Sequence, residues 1–194
     1  MTDRYTARMP SGATRRLLTT ADYHSMIEAG ILGPEDRVEL LAGEIYEAAS
    51  VSSPHAACVM RLTRWFSSRI GERGLVNVQN PIELSSLSEP EPDLTLLVPR
   101  RSFYAERHPR PDEVLLLIEV AATSYDFDRD LKLPLYAEAG IREVWLIALD
   151  HRVVEVHREP GEGSYRQTER LQARDTVTPI AFPDLETDVG YLLG

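Results

Sequence analysis

Three residues stand out by type and spacing. Asp93 follows Pro92 directly, Glu119 interrupts the apolar run LLLIEVA at 115–121, and Lys132 is the sole lysine among 21 lysines and arginines. Stranding a carboxylate inside an apolar strand costs on the order of several kcal/mol, so Glu119 has to be paired, protonated or bound to a cation. Side chains alternate along a strand, which puts Leu115, Leu117, Glu119 and Ala121 on one face. The segment EPEPDLTLLV sets Asp93 at the start of another strand. If the two strands pair antiparallel, the start of one lies beside the end of the other, and Asp93 meets Glu119. Adjacent carboxylates repel and raise one pKa unless a divalent cation sits between them. Hard oxygen ligands with open positions suit Mg²⁺ or Mn²⁺. Lysine and arginine are not interchangeable at a reacting centre, which singles out Lys132.

These residues need a frame to hold them. LTTADYHSMIEAG reads as a short helix capped by Thr19 or Thr20 and ended by Gly30. RVELLAGEIYEA reads as a hairpin turning at Ala42-Gly43. The longest helix spans SSPHAACVMRLTRWFSSRIGERG, with Val59, Leu62, Phe66 and Ile70 as its apolar stripe. LVNVQNPIEL suggests a strand, a turn and a second short strand. EVLLLIEVA is apolar enough to be covered on both faces. In DFDRDLKLPLYAEAG, Asp126 or Asp128 can cap a helix, and Pro134 fits only a first turn, so this helix is expected to begin near Leu131 to Leu133. EVWLIALDHRVVEVHR gives two strands around Asp150-His151, and SYRQTER or TVTPI at least one more. Strands outnumber helices in mixed order, an α/β or α+β single domain with a central mixed sheet flanked by helices.

With 194 residues the chain suits one domain, read as 18–194 behind a loose polar arm at 1–17. No window approaches a membrane span, the N-terminus lacks an apolar signal-like stretch, and cytoplasmic residence is the default expectation. Cys58, the one cysteine, excludes an internal disulfide and a cysteine-rich zinc site, and reads as a buried small residue. A net charge of −10 argues against a general nucleic-acid coat protein, while leaving room for an enzyme whose acids hold a metal. Arg100, Arg101, Arg107 and Arg110 make PRRSFYAERHPR the most basic stretch, a solvated loop or a contact for a DNA backbone.

Pro92-Asp93 and the strand-borne Glu119-Val120-Ala121 resemble the PD-(D/E)xK signature of restriction-endonuclease-like nucleases. That superfamily usually places its lysine two residues after the Glu, where this chain has Ala121. The whole chain is similar to a subgroup in which the lysine migrates to the following helix, the Uma-two family. The matching stretches include LTTADYHSMIEAG, VELLAGEIYEAASVSSPHAACVMRL, EPDLTLL, LLLIEVAATSYDFDRDLKLPLYAEAGIREVWLIAL and FPDLETDVGYLL, roughly residues 18 to 193. The resemblance implies a Mg²⁺- or Mn²⁺-dependent DNA endonuclease, expected as a homodimer. It makes Asp93 and Glu119 metal ligands together with the Val120 carbonyl, and Glu39 a further ligand or water-orienting group. Lys132 becomes the migrated lysine that positions water and offsets phosphate charge. His55, at the start of the long helix, matches a family histidine, and Tyr136, one helical turn after Lys132, is an accessory candidate.

Each residue also has a plainer reading. Glu119 could pair with a core arginine, Asp93 could be a strand-entry residue, Glu39 a solvated edge position, and His55 and Tyr136 packing residues. A lysine at a helix start opposes the helix dipole unless an anionic site lies nearby. The alternative function is a non-catalytic scaffold of the same fold that binds DNA or a protein partner.

Overall fold

The computed structural model describes residues 15–194 apart from Pro34 and Ala49, so most of the expected N-terminal arm lies outside the described residues. Helix α1 (Thr20–Glu28) starts at a capping box: the Thr19 hydroxyl accepts from the Asp22 N–H while the Asp22 carboxylate accepts from the Thr19 N–H. Strands β1 (Val38–Leu41) and β2 (Glu44–Glu47) form the expected hairpin. Its turn needs positive φ at both central residues, 51° at Ala42 and 79° at Gly43. A Cβ at residue 43 would also lie 2.5 Å from that of Leu17, so glycine is required twice over. Helix α2 (Ser53–Ser67) is capped by the Ser52 hydroxyl, and Val59, Leu62 and Phe66 of its stripe are buried, as is Ile70 beyond it.

The central sheet has six strands in the order β3-β4-β5-β6-β7-β8: Leu75–Val78, Leu94–Leu97, Val114–Ala121, Glu143–Ala148, Val153–Pro160 and Tyr165–Gln172. Only β5 and β6 are parallel. A parallel pair needs a crossover, and here it is helical: α3 (Tyr125–Phe127), a π turn (Asp128–Lys132) and α4 (Leu133–Glu138). A second small sheet pairs β9 (Thr176–Val177) with β10 (Thr187–Asp188), and α5 (Val189–Leu193) follows.

Two apolar layers sandwich the sheet. Leu116, Ile118 and Val120 of β5 face α2 and the C-terminal segment, with Cys58, Trp65, Trp145 and Leu192. Leu117 and Ala121 face the crossover, with Leu133, Tyr136 and Ile141. Burial pushes the Cys58 thiol up to about 11, consistent with a packing residue. Leu115 departs from its expected face. The β4–β5 register shifts at Leu96/Leu97, Leu97 pairs with Val114, and Leu115 packs on the α2 side.

One further expectation is corrected. PIEL is not a strand: Ile82, Glu83 and Leu84 donate to Pro90, Pro109 and Ser88 carbonyls in an irregular way. Pro81, Pro90 and Pro92 remove the donors a ladder would need. The α-helix expected to begin near Leu131 to Leu133 starts at Leu133, with Pro134 in its first turn, and helical turns from Tyr125 onward precede it. Pro134 is tolerated because the π turn changes the local pattern: the Leu133 N–H bonds to the Asp128 carbonyl five residues back, and Pro134 opens α4.

Candidate functional site at the end of the central sheet

β4 and β5 are antiparallel, with Leu94 opposite Ile118. Asp93 therefore stands beside Glu119, as the strand argument required. The Asp93 N–H donates to Glu119 Oε2 at 3.3 Å, and Asp93 Oδ2 accepts the Val120 N–H at 2.8 Å. The carboxylate of Asp93 takes the place of a strand where β4 has stopped. The Val120 carbonyl leaves β5 on that same side, because the N–H and C=O of one strand residue point together.

Lys132 reaches Glu119 from the π turn. Its Nζ lies 3.1 Å from Glu119 Oε1 and 3.0 Å from Glu39 Oε1. Glu39 arrives from β1, and all three residues are buried. Tyr136 donates to Glu119 Oε1 at 2.6 Å. Asp128 and Lys132, four residues apart on one helical face of the π turn, both point inward and are buried. His55, in the first turn of α2, sets its Nε2 2.9 Å from Asp93 Oδ1, and Gln79 donates to that oxygen at 3.2 Å.

Thus Glu39, His55, Asp93, Glu119, Val120 and Lys132 line one cleft of about 520 Å³, with Tyr136 behind Glu119. Asp128 and Gln79 are among its members that were not anticipated. Asp128, expected as a possible cap, is instead a cleft-facing carboxylate accepting from the Ser124 hydroxyl at 2.6 Å, and neither it nor Asp126 caps the helix. Its four-residue spacing from Lys132 was the signal available in the sequence. Gln79, with φ of 49°, was not singled out at all.

The electrostatics are those of crowded acids. Burial pushes the carboxyls of Glu39 and Asp128 up to about 7; Glu119 adds to both shifts and Lys132 opposes them. Burial also raises Glu119, against Lys132. Burial alone would lower the Lys132 ammonium pKa, but Glu119, Glu39 and Asp128 together raise it, so it stays charged. His55 is raised chiefly by its hydrogen bond to Asp93.

The donor set fits a hard divalent cation. Glu39, Asp93 and Glu119 reach the same cleft from three segments, with Val120 also lining it, and Glu39 Oε2 is buried with no hydrogen-bond partner among the described residues. Lys132 Nζ approaches that oxygen to 2.9 Å, yet its hydrogen bond is directed at Oε1. The ammonium lies against both oxygens of Glu39 and so compensates the charge of the whole carboxylate.

Residues 20–190 match the model of the Uma2 family, described as "Putative restriction endonuclease". The chain belongs to the Uma2 family. Among solved structures it resembles the crystal structure of "a putative nuclease belonging to DUF820 from Anabaena variabilis ATCC 29413". The TM-score is 0.73 at 15% identity, covering 91% of this chain and 97% of that one. Such a likeness shows the shared fold, a mixed sheet flanked by helices. No curated protein matches the chain.

The basic stretch behaves differently from the cleft. Arg100 and Arg107 both pair with Glu113, Arg107 through two bonds of 2.7 and 2.8 Å, and Arg110 lies 3.5 Å from Glu83. Arg107 holds Glu113 down at about 2. Three of the four arginines therefore also serve ion pairs within the chain, while most of the stretch stays exposed, as a solvated loop would be. Among the described residues no helix is long and apolar enough to cross a membrane.

Proposed function

We propose that this Uma2 member is a divalent-metal-dependent DNA endonuclease whose reacting centre is the cleft of Asp93, Glu119, Lys132 and Glu39. The observation that carries the reading is Lys132 Nζ at 3.1 Å from Glu119 Oε1, beside Asp93. A lysine at position 121 would share the strand face of Glu119, and Lys132 brings an ammonium to that same carboxylate from the crossover.

Asp93, Glu119 and the Val120 carbonyl would hold Mg²⁺ or Mn²⁺, with Glu39 as a further ligand. A divalent ion so bound supplies a lowered pKa to attacking water and stabilises charge on the scissile phosphate. The protein's own groups do the remaining work. Val120 and Gln79 fix the orientation of Asp93, and Tyr136 fixes that of Glu119. Lys132, held charged by its acidic neighbours, offers a positioned donor for water and a counter-charge for phosphate. His55 holds the Asp93 carboxylate from the α2 side as a positioning residue. A nuclease that cuts both strands needs two such centres, so a homodimer belongs to the proposal.

A second reading has its own support. Asp93 is already bonded to His55, Gln79 and Val120, and Glu119 to Lys132 and Tyr136, as in a settled structural cluster. That is the pattern of a scaffold that binds DNA or a protein without cutting.

Incubation with supercoiled, linear and single-stranded DNA in Mg²⁺ or Mn²⁺ separates the two. The nuclease reading expects cleavage of at least one form by the wild type and none by Glu119→Gln. Absence of cleavage by the wild type on all three, in either metal, supports the scaffold.

A further inference from the structure

Outside the cleft, a second group of side chains has the composition of a transition-metal site. His24 on α1, Glu89 in the EPEPD segment and His108 before β5 each place one ligating atom within 4.8 Å of the other two. His24 Nε2 lies 2.8 Å from Glu89 Oε1, and the two imidazole rings have centroids 6.1 Å apart. Ligands of a tetrahedral Zn²⁺ with bonds of ~2.0 Å stand about 3.3 Å from one another, so only small rotamer adjustments separate this arrangement from coordination.

An ion pair between His24 and Glu89 accounts for one carboxylate oxygen. It leaves the other. The Glu89 side chain is 3% exposed, and its Oε2 is buried with no hydrogen-bond partner among the described residues. Leaving such an oxygen unsatisfied is costly, and the place of this carboxylate beside two half-buried imidazoles names the missing group as a cation that both nitrogen and oxygen accept. The backbone is already fixed on each side. The Glu89 N–H donates to the Leu40 carbonyl at 2.7 Å, Arg107 donates to the His108 carbonyl at 2.9 Å, and the Glu83 N–H donates to the adjacent Pro109 carbonyl at 2.9 Å. The capping box of α1 secures the segment bearing His24.

We propose that His24, Glu89 and His108 bind Zn²⁺ or a similar imidazole-preferring divalent metal, with a position left open to water. The site is structural. It fastens α1 and the arginine-bearing stretch before β5 to the segment that leads, through Pro90 and Pro92, into Asp93. It requires neither Asp93 nor Glu119 as a ligand, so it stands or falls separately from the cleft.

The test titrates tag-free, metal-stripped full-length protein with Zn²⁺ and with Co²⁺, in millimolar Mg²⁺ to occupy oxygen-ligand sites. Binding is followed by calorimetry and by the visible Co²⁺ spectrum. We expect one equivalent to bind to the wild type, with a rise in melting temperature. His24→Ala and His108→Ala should each weaken binding at least tenfold while melting like the metal-free wild type. His151→Ala, a histidine outside the group, should bind as the wild type does. No stoichiometric binding to the wild type, or wild-type affinity in either His24→Ala or His108→Ala, overturns the proposal. Should either variant melt lower than the wild type without metal, Glu89→Gln, which keeps the side-chain shape, decides by the same tenfold criterion.

Discussion

Lys132 Nζ lies 3.1 Å from Glu119 Oε1 although thirteen residues separate them, because the helical crossover folds back over the end of β5. The ammonium also contacts Glu39, so one cation serves two buried carboxylates from two separate sheets.

Lys132→Arg keeps the charge but replaces a compact donor by a planar fork that this buried position has not been shaped for. It should lower the single-turnover cleavage rate roughly 10²-fold or more. Unchanged cleavage would show that the lone lysine is an accident of composition.

Lys132→Ala should abolish cleavage yet leave Mn²⁺ affinity equal or tighter, because the competing ammonium is gone and the acids remain. Removing one partner of a buried ion pair costs roughly 3–5 kcal/mol, so the metal-free variant should melt well below the wild type and recover in part with Mn²⁺. Adding Ala121→Lys in that background restores an ammonium on the Glu119 face, and partial recovery of cleavage is expected. Loss of Mn²⁺ binding in Lys132→Ala would instead make the lysine a structural requirement of the acid cluster.

The pH dependence follows from Glu39 and Asp128, both raised by burial to about 7. Each binds its proton more tightly folded than unfolded. Their contribution to stability is therefore present at low pH and lost as pH rises through about 7. Asp128→Asn should stabilise the metal-free protein at pH 8 by on the order of 2 kcal/mol, roughly 4–8 °C in melting temperature, and by much less at pH 5. Equal shifts at both pH values would mean that Asp128 is not held protonated by its surroundings.

Metal binding requires the deprotonated acids, so Mn²⁺ affinity at the cleft should fall as pH drops through about 7, with proton release on binding. Calorimetry in two buffers of different ionisation enthalpy measures that release directly. A pH-independent affinity between pH 6 and pH 8 would remove Glu39 from the shell.

Much of this site was legible in the sequence because two periodicities and one chain reversal determine it. Alternation put Glu119 on the crossover face, and antiparallel pairing of β4 with β5 brought Asp93 to it. A capping threonine gave α1, and the apolar stripe gave α2. What could not be read was local and irregular. Pro134 signals a helix start, and no simple pattern announces a π turn that lets a helix run through it. Within that turn Asp128 points into the cleft rather than capping. The bulge that turns Leu115 to the other face is equally silent, because leucine suits either layer. Arg100 and Arg107 were unreadable for a different reason: their partner Glu113 is known only once the loop has folded back.

The central claim is that Asp93 and Glu119 share one divalent cation. Crystals grown with Mn²⁺ and measured for anomalous scattering test it most directly. The account predicts a peak within bonding distance of both carboxylates and of the Val120 carbonyl, absent from Glu119→Gln crystals grown in the same way. A cleft without a peak at saturating Mn²⁺, or one that keeps its peak in Glu119→Gln, would contradict it.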